Sequence, residues 1–600
     1  MMNPPPRFFG HRVPLGAVGL LLVGLSLAAY SPYFGAGFSG DDFIFLSMLE
    51  GAVPYDPLPG FWYGRMDSFP AFQAIWWLDP AVEGAFLRPL ASWTLTLLYG
   101  TFGRNAVPYH VLLAAMHGLV AFTAFLVLRR LSKRDGVSLL AALLFLVCED
   151  HGMTVAWITT ITDLLCALFL NLALLTHIVS REERRRSLFV LPPVLFLAAV
   201  TSKETAIVYP LIVAAYEFFF AERLAASGEG VPKGARGRLS VFVSSSRAWG
   251  VPLLVPAGYL LLYLCLLPPM RNLLYIDPIR EPARYLGALL GNLPVMAAGL
   301  LTQFLPSLVI LLPKTLPWAR AGGAVLILLL GWALLPHRRE RALLFALAAF
   351  VIALLPGLAT APAERLLYTP STYGFYVVAW LIAALPPLRR RVAADLPRGV
   401  RVLGSAWGWY LLLSAAAVPV VLLFFYPSMW ISGMRLPERT VLRSLPLLEE
   451  AGDEHVVYLN TSSSFNTFYL SDVYRYYLDE FIDVRVLSSF NGRMRARSEG
   501  ERVLVLKTED DGWLGNMFAR IARVNPELSP GDTYETDLFT AAIREITSDG
   551  REAREVRFEF RVPLGDPSLA LLMYDGESYR RWTPSPEWQA LNPTIDPHGF

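Results

Sequence analysis

The sequence predicts an α-helical polytopic membrane protein, a bundle of about eleven transmembrane helices followed by a C-terminal soluble α+β domain. Hydrophobic residues make up 54% of the 600-residue chain, charged residues make up 17%, and the mean hydropathy is +0.44. Apolar stretches of about 17 to 24 residues with almost no charge recur along it, and a helix of that length crosses a bilayer. This composition excludes a soluble globule.

Hydropathy indicates eleven spans. They cover residues 13–34, 108–128, 137–150, 155–178, 188–201, 205–221, 249–268, 321–336, 342–358, 372–387 and 403–426. A further apolar stretch, residues 287–312, is interrupted by Pro294 and Pro306. We expect it to form a re-entrant or surface-lying helix on the outer side, because a crossing there would place the next basic cluster outside the cell.

Basic clusters fix the orientation, since cytoplasmic loops carry an excess of Lys and Arg. With the eleven spans, five clusters lie inside: residues 129–134, 181–186, 223–247, 338–341 and 389–401. The first span follows Arg7 and Arg12 and lacks a small-residue cleavage site, so we expect a retained helix and a cytoplasmic N-terminus. The excess of Arg over Lys indicates a bacterial origin, and we expect a multi-pass protein of the bacterial inner membrane.

The division into domains falls near residue 430. Residues 1–430 form the membrane domain, with a long outer loop at 35–107, and residues 431–600 form an α+β domain on the periplasmic or extracellular side. Short apolar runs that alternate with charge predict strands at 455–459, 484–487, 502–506, 556–562 and 569–574 and helices at 467–477 and 539–546.

Two adjacent carboxylates, Asp41 and Asp42, come just after the first span. An acidic pair at the rim of an apolar bundle is costly unless water, a cation or a substrate compensates it, so the pair is a candidate catalytic site. The alternative is a solvated start of the outer loop. The spacing does not separate the two residues, and either could be the base.

Three further clusters lie at span ends on the same outer side. Glu149, Asp150 and His151 form the turn between the third and fourth spans, where the alternative is an ordinary polar turn. Lys203 and Glu204 lie between the fifth and sixth spans. Lys203 is a candidate for binding phosphate. The alternatives are a mutual Lys203–Glu204 pair, or a helix cap by a neighbouring hydroxyl.

Glu364 and Arg365 precede the tenth span, and a guanidinium there can bind phosphate through two parallel hydrogen bonds. The alternative is a Glu364–Arg365 pair at the rim. Asp163, within the fourth span, is expected to pair with a basic or hydroxyl group inside the bundle. Two histidines seven residues apart, at positions 110 and 117, are interpreted as packing residues rather than metal ligands.

The order of these motifs resembles the GT-C superfamily of integral-membrane glycosyltransferases, and in particular the protein O-mannosyltransferase type of the tetratricopeptide-linked branch. The resemblance covers residues 10–390. It rests on the acidic pair, Phe86-Leu87-Arg88-Pro89-Leu90, Phe102-Gly103, Tyr109-His110 with His117, His151 with Val155-Ala156-Trp157-Ile158, Asp163-Leu164-Leu165, Ser202-Lys203-Glu204, and Ala363-Glu364-Arg365-Leu366-Leu367-Tyr368-Thr369-Pro370-Ser371. Leu113 and Met153 depart from the family pattern, and no tetratricopeptide period follows the last span.

The resemblance implies a GT-C-like bundle that moves a sugar from a polyprenyl-phosphate-linked donor to an acceptor hydroxyl on the outer face, with inversion. Its residues are assigned as follows: Asp41 and Asp42 as base and partner, Glu149, Asp150 and His151 at the acceptor, Arg365, Lys203 and Arg88 on the donor phosphate, and Glu204, Glu364, Tyr368 and Asp163 in support. Independently of the family, an acceptor hydroxyl needs a carboxylate to take its proton, and a phosphate leaving group needs a cation.

The expected partners are the lipid bilayer, the polyprenyl-phosphate sugar and an acceptor that is a protein, a lipid or a glycan. No nucleic acid is expected, and no Gly-rich phosphate loop, HExxH or GxSxG motif occurs. No cofactor is required, and a divalent metal stays open. The alternatives are a transporter or lipid flippase, which would place charges near the bilayer midplane, or a non-catalytic anchor for the C-terminal domain.

Overall fold

The computed structural model describes most of the chain, and the account below concerns that part. The described residues are 7–8, 11–53, 70–79, 81–82, 86–221, 243, 254–266, 275–391, 414, 418–448, 455–463, 468–489, 492–509, 512–515, 517–525 and 527–592. Most of the basic clusters predicted at 223–247 and 389–401, the start of the span predicted at 249–268 and most of the span predicted at 403–426 lie outside these residues.

The membrane domain is helical, as predicted. Its α-helices are Leu15–Tyr30, Asp41–Leu49, Pro70–Gln73, Pro89–Phe102, Ala106–Ser132, Asp135–Val147, Gly152–Ala156, Ile161–Glu182, Leu191–Val200, Tyr209–Phe219, Leu254–Leu266, Pro282–Thr302, Leu308–Leu311, Leu316–Leu334, Arg341–Leu354, Tyr368–Arg391 and Val418–Met434. Within the described residues, seven helices are long and apolar enough to cross a membrane, or eight if the pair bent by 53° at residue 148 is one span. The predicted class is confirmed, and the count of eleven stays a prediction.

The stretch predicted at 287–312 differs from expectation in one respect. Pro294 lies inside a continuous helix, Pro282–Thr302, and does not break it. The neighbouring helix Leu316–Leu334 packs closely there, since a Cβ added at Gly323 would lie 2.0 Å from the Pro294 carbonyl oxygen. Packing by neighbouring helices is one way in which membrane helices tolerate proline. Helix Pro282–Thr302 is long and apolar enough to cross a membrane, and the re-entrant or surface-lying placement stays a prediction.

Close contact between the first two spans sets the position of the outer loop. A Cβ at Gly118 would lie 2.6 Å from the Val23 Cα atom, so only glycine permits this approach of the two backbones. The Ser26 hydroxyl donates a hydrogen bond of 2.6 Å to the Ala114 carbonyl oxygen across the same contact. The first span is thereby fixed to the bundle, and so is the acidic pair that follows it.

The C-terminal domain contains two sheets and three α-helices, Leu436–Leu448, Leu470–Leu478 and Met517–Ile521. Its strands are β3 His455–Tyr458, β4 Asp483–Val486, β5 Met494–Ser498, β6 Val503–Thr508, β7 Thr533–Glu535, β8 Phe539–Ile546, β9 Ala553–Phe560, β10 Leu569–Tyr574, β11 Tyr579–Arg581 and β12 Gln589–Ala590, after a short N-terminal hairpin of β1 Arg7–Phe8 and β2 His11–Arg12. One sheet has the order β11-β10-β3-β4 and the other β12-β5-β6-β9-β8-β7.

The helix predicted at 539–546 is wrong, because this segment is the strand β8. Its side chains alternate between buried and more exposed positions over residues 539–543, which is the period of a strand. It pairs antiparallel with β9, and Phe539 lies opposite Phe560. Tertiary pairing therefore outweighs the helix propensity of Ala541 and Ala542.

The outer loop and the C-terminal domain form one packed unit. The Val486 amide donates a 2.8 Å hydrogen bond to the Ala74 carbonyl oxygen, which extends the edge of the four-stranded sheet. The Trp76 indole donates a 2.9 Å bond to the Leu487 carbonyl oxygen, and its ring lies edge-on to Phe558 of the other sheet. The C-terminal domain is thus attached to the segment that joins the first two predicted spans.

Candidate active site

The acidic pair begins a helix, Asp41–Leu49, which packs against the C-terminal domain. Gly40 precedes it with a φ of +53°, a backbone conformation that glycine adopts readily. Both carboxylates occupy the first turn, where the positive end of the helix dipole favours a negative charge. We call this element the acidic helix.

Asp42 is buried at 2% exposure, and backbone amides hold its carboxylate. Oδ2 accepts a 3.0 Å hydrogen bond from the Ser39 amide, and Oδ1 accepts one of 3.0 Å from the Thr159 amide. Burial raises the pKa of Asp42, and these amide bonds oppose the rise. Asp42 therefore connects the acidic helix to the turn before helix Ile161–Glu182.

Asp41 has a different environment. It is partly exposed, and its Oδ1 accepts a 2.9 Å hydrogen bond from the hydroxyl of Tyr469 in the C-terminal domain. Burial raises the pKa of Asp41, whereas the Tyr469 bond and the charges of Arg365 and Arg88 act to lower it. The structure thus separates two residues that the sequence left equivalent, since Asp41 faces cations and Asp42 faces the backbone.

Arg365 is the cation opposite Asp41. It is partly exposed, and no residue in the described part of the chain forms a hydrogen bond or ion pair with its guanidinium. The alternative of a Glu364–Arg365 pair is wrong, because Glu364 is buried and accepts bonds from the backbone amide and the hydroxyl of Ser307. The hydrogen-bond donors of Arg365 are therefore unoccupied as far as the described residues are concerned.

Two further predicted cations are in ion pairs. The Lys203 ammonium lies 2.6 Å from both carboxylate oxygens of Asp163, and the Arg88 guanidinium binds Glu204 through two bonds of 2.7 and 2.6 Å. The Lys203–Glu204 pair that the sequence left open is therefore not formed, because each residue faces a different partner. Asp163 pairs with a basic group, as expected.

The Glu149–Asp150–His151 turn lies where the bent span changes direction. His151 is fixed by bonds of 2.9 Å to the Phe145 carbonyl oxygen and 2.8 Å to the Ser371 hydroxyl. Both Asp150 carboxylate oxygens and Oε2 of Glu149 are buried without a hydrogen-bond partner among the described residues. Burying carboxylate oxygens without a partner is costly, so hydrogen-bond donors supplied to this turn would be stabilising.

The remaining predicted residues support the packing around this turn. The Tyr368 hydroxyl lies 2.8 Å from Nδ1 of His117, and its ring lies edge-on to His151 at 4.8 Å. His110 bonds the Gly37 carbonyl oxygen at 2.9 Å. In the part of the chain that the structure describes, no three His, Cys, Asp or Glu side chains are arranged to hold a metal ion.

Sequence reasoning missed the contribution of the C-terminal domain. Glu50, at the end of the acidic helix, binds Arg104 through bonds of 2.7 and 2.8 Å and also binds Arg475, while Arg104 reaches Asp479 at 2.7 Å. Nothing local marks these residues, because 425 positions separate Glu50 from Arg475. Only the folded chain brings them and Tyr469 to the site.

No protein-family model matches the chain, and no curated protein is similar in sequence. Among solved structures, it is similar to ArnT from Cupriavidus metallidurans bound to undecaprenyl phosphate, with 12% identity over 79% of this chain and 90% of that chain and a TM-score of 0.40. It is also similar to the Archaeoglobus fulgidus oligosaccharyltransferase tethered with an acceptor peptide, with 12% identity over 76% of this chain and a TM-score of 0.34.

The same archaeal enzyme, AglB, in complex with an inhibitory peptide and a dolichol-phosphate gives 14% identity and a TM-score of 0.34. The match spans 63% of the length of that oligosaccharyltransferase. The resemblance to GT-C membrane glycosyltransferases, and within them to the O-mannosyltransferase branch, stays a prediction.

Proposed function

We propose that this chain is a membrane glycosyltransferase that moves a sugar from a polyprenyl-phosphate-linked donor to an acceptor hydroxyl on the outer face of a bacterial inner membrane. The observation that carries the proposal is the opposition of a partly exposed carboxylate, Asp41, to an arginine, Arg365, whose donors are free among the described residues. A hydroxyl nucleophile needs a base, and a departing phosphate needs a cation.

In the proposed reaction, the acceptor oxygen attacks the anomeric carbon of the donor as the bond from that carbon to the phosphate oxygen breaks. Asp41 takes the acceptor proton, and the polyprenyl phosphate leaves with the bonding electron pair. Arg365 binds the phosphate through parallel hydrogen bonds. A single displacement inverts the anomeric centre.

The other charged groups take positions around this pair. Arg88 lies close enough to Asp41 to lower the pKa of that carboxyl, although its Nε and Nη2 atoms are bonded to Glu204. Lys203 stands behind it, paired with Asp163. We propose that both add positive potential at the donor phosphate, and that the unpaired oxygens of Glu149 and Asp150 orient the acceptor.

Burial supports the assignment of Asp41 as base. A carboxyl whose pKa is raised by burial is a better proton acceptor than a fully solvated one. Asp42 is the less suitable candidate, since backbone amides already occupy both its oxygens. We propose that Asp42 holds the acidic helix in place.

The orientation belongs to the same proposal. The paired arginines Arg129 and Arg130 lie at one end of helix Ala106–Ser132, and the acidic helix contacts the C-terminal domain beyond the other end. Because cytoplasmic ends carry an excess of basic residues, we propose that Asp41 and the C-terminal domain lie outside. Neither rival function explains the Asp41–Arg365 arrangement: a flippase needs no base, and an anchor needs no unpaired guanidinium.

The test is an in vitro transfer assay on the full chain in lipid nanodiscs, supplied with polyprenyl-phosphate sugars and with peptide, lipid and glycan acceptors. We expect Asp41→Asn to lower transfer by roughly 10²- to 10⁴-fold, the range typical of a general base. The matched control is Asp549→Asn, an exposed aspartate of the C-terminal domain, and we expect it to match the wild type.

Two outcomes would count against the proposal. Full transfer by folded Asp41→Asn protein would remove Asp41 as the base and leave the transferase activity in place. A wild type that binds the lipid-linked sugar but transfers nothing to any acceptor, and moves the lipid across the bilayer instead, would replace the transferase with a flippase.

A further inference from the structure

The C-terminal domain contributes a side chain to the candidate active site. Tyr469 precedes helix Leu470–Leu478, which packs on the acidic helix, and we call this element the docking helix. The Tyr469 side chain is 6% exposed, and its hydroxyl lies 2.9 Å from Oδ1 of Asp41. The two residues are 428 positions apart in the sequence.

The docking helix is held at both ends, so the position of Tyr469 is well defined. On one side, the Phe468 ring packs at 5.2 Å against Phe72 of the outer loop. On the other side, Arg475 binds Glu50 at the end of the acidic helix. With its flanks fixed, the phenol has little freedom to leave the carboxylate.

We propose that Tyr469 is a positioning residue for the base: its hydroxyl holds the Asp41 carboxylate by Oδ1, so that Oδ2 is left to take the acceptor proton. This inference rests on the role proposed for Asp41. It also makes the C-terminal domain part of the catalytic apparatus rather than an appended module.

The chemistry of the contact supports this role. A phenol that donates to a carboxylate stabilises its charged form, because a hydrogen bond to an ion is stronger than one to a neutral group. The charged groups that face Asp41 are Asp42 on its own helix and the cations Arg365 and Arg88. Farther along, the docking helix presents Asp472 and Arg475 to the acidic helix. Among these groups, Tyr469 is the one that contacts Oδ1.

A purely structural role would predict a different behaviour. If Tyr469 served only to dock the domain, loss of its hydroxyl would lower the melting temperature and leave the pH dependence of transfer unchanged. If Tyr469 positions the base and stabilises its charged form, loss of the hydroxyl would change the pH dependence of transfer with little effect on the melting temperature. The two roles are therefore separable in one variant, Tyr469→Phe, which keeps the ring.

The experiment compares Tyr469→Phe with Tyr474→Phe in the full chain in nanodiscs. Tyr474 is the matched control, since it lies on the same helix and its hydroxyl makes a 2.7 Å bond to Tyr458 inside the domain. For Tyr469→Phe we expect kcat at acidic pH to fall about tenfold, the acidic limb of the pH profile to move to higher pH, and transfer to recover at alkaline pH. For Tyr474→Phe we expect the wild-type profile with a lower melting temperature.

A second readout does not depend on transfer. Carbodiimides modify protonated carboxyls, so labelling of Asp41, quantified by mass spectrometry across pH, reports its ionisation directly. We expect labelling in Tyr469→Phe to persist to a higher pH than in the wild type and in Tyr474→Phe. Because no sugar donor is needed, this readout tests the positioning role even if the proposed reaction is wrong.

The outcomes are distinguishable. Unchanged labelling and pH profiles in Tyr469→Phe would overturn the positioning role, while inactivity of Asp41→Asn would still support the transferase. A lower melting temperature with unchanged profiles would likewise reduce Tyr469 to a docking contact. A shifted labelling profile in a protein that transfers no sugar would support the contact and refute the reaction.

Discussion

The two ends of the helical bundle, which we propose to be its inner and outer ends, carry charges in different arrangements. At the inner end, Arg129 bonds Asp135 at 2.7 Å, Arg130 bonds Glu182 at 2.7 Å, and Arg134 reaches a glutamate of a neighbouring loop. At the outer end, described residues such as Arg365 and Asp150 have side chains without hydrogen-bond partners. The charges at the proposed inner end pair with one another, whereas unpaired charges among the described residues of the proposed outer end fit the binding of a ligand proposed above.

The largest expected effect is the contrast between arginines at the two ends. Arg365→Ala removes the cation proposed to face the departing phosphate, and we expect transfer to fall by about 10²- to 10³-fold. Arg134→Ala, at the inner end, breaks a pair whose side chains are 47% and 44% exposed, and we expect transfer within about twofold of the wild type. Steady-state transfer assays on both variants check this, and equal activity would erase the functional difference between the ends.

The Lys203–Asp163 pair sharpens the comparison, because it is a fully paired element at the outer end. Lys203→Met leaves a buried carboxylate unpaired, and we expect a loss of stability of about 3 to 5 kcal/mol. The double variant Lys203→Met, Asp163→Leu is expected to regain stability without regaining transfer, since the positive potential at the phosphate stays lost. Thermal unfolding in nanodiscs and the transfer assay measure the two properties.

If the double variant recovered both stability and transfer activity, Lys203 would have a structural role only. The pair would then resemble those of the inner end, despite its position near the site.

The smallest expected effect is on stability: replacing either of two aspartates by asparagine changes the free energy of unfolding, but in opposite directions. Burial raises the pKa of Asp472, on the docking helix, to about 6, and its neighbours Ser47 and Arg475 do not offset that rise. The folded state therefore binds more protons than the unfolded state between about pH 4 and 6, and stability falls as the pH rises through that window. We expect Asp472→Asn to stabilise the protein by about 2 kcal/mol at pH 7.5 and by nothing below pH 4.

The matched variant at the inner end is Asp135→Asn. Asp135 is paired with Arg129, so we expect a loss of about 1 kcal/mol at pH 7.5 rather than a gain. Melting curves across pH measure both. A stabilising Asp135→Asn or a destabilising Asp472→Asn would contradict the distinction between paired and unpaired charges.

The class of the protein and most of its helices could be predicted because hydropathy is a local property. Spans such as Ala106–Ser132 and Ile158–Glu182 are apolar stretches whose length, as helices, is enough to cross a bilayer. The strand β8 was missed because pairing with β9, rather than local preference, decides its conformation. Local reading also placed the helix at Leu470–Leu478 but gave no sign of what it packs against.

The candidate site was predictable as a set of residues and not as a set of roles. Charged residues are rare in an apolar bundle because their burial is costly. Asp41, Lys203 and Arg365 could therefore be recognised from the sequence. The partner of each charge depends on tertiary contacts. Asp41 and Asp42 became distinct only through Tyr469 and Thr159, which lie far from them in the sequence.

Trp76 contacts two parts of the chain that are synthesised long after it. Its indole bonds Leu487, 411 positions later, and its ring contacts Phe558. These contacts join positions far apart in the sequence. They cannot form while the ribosome is still translating the membrane helices, because Leu487 and Phe558 have not yet been synthesised. A chain that ends before Leu487 would therefore leave Trp76 without both of these partners.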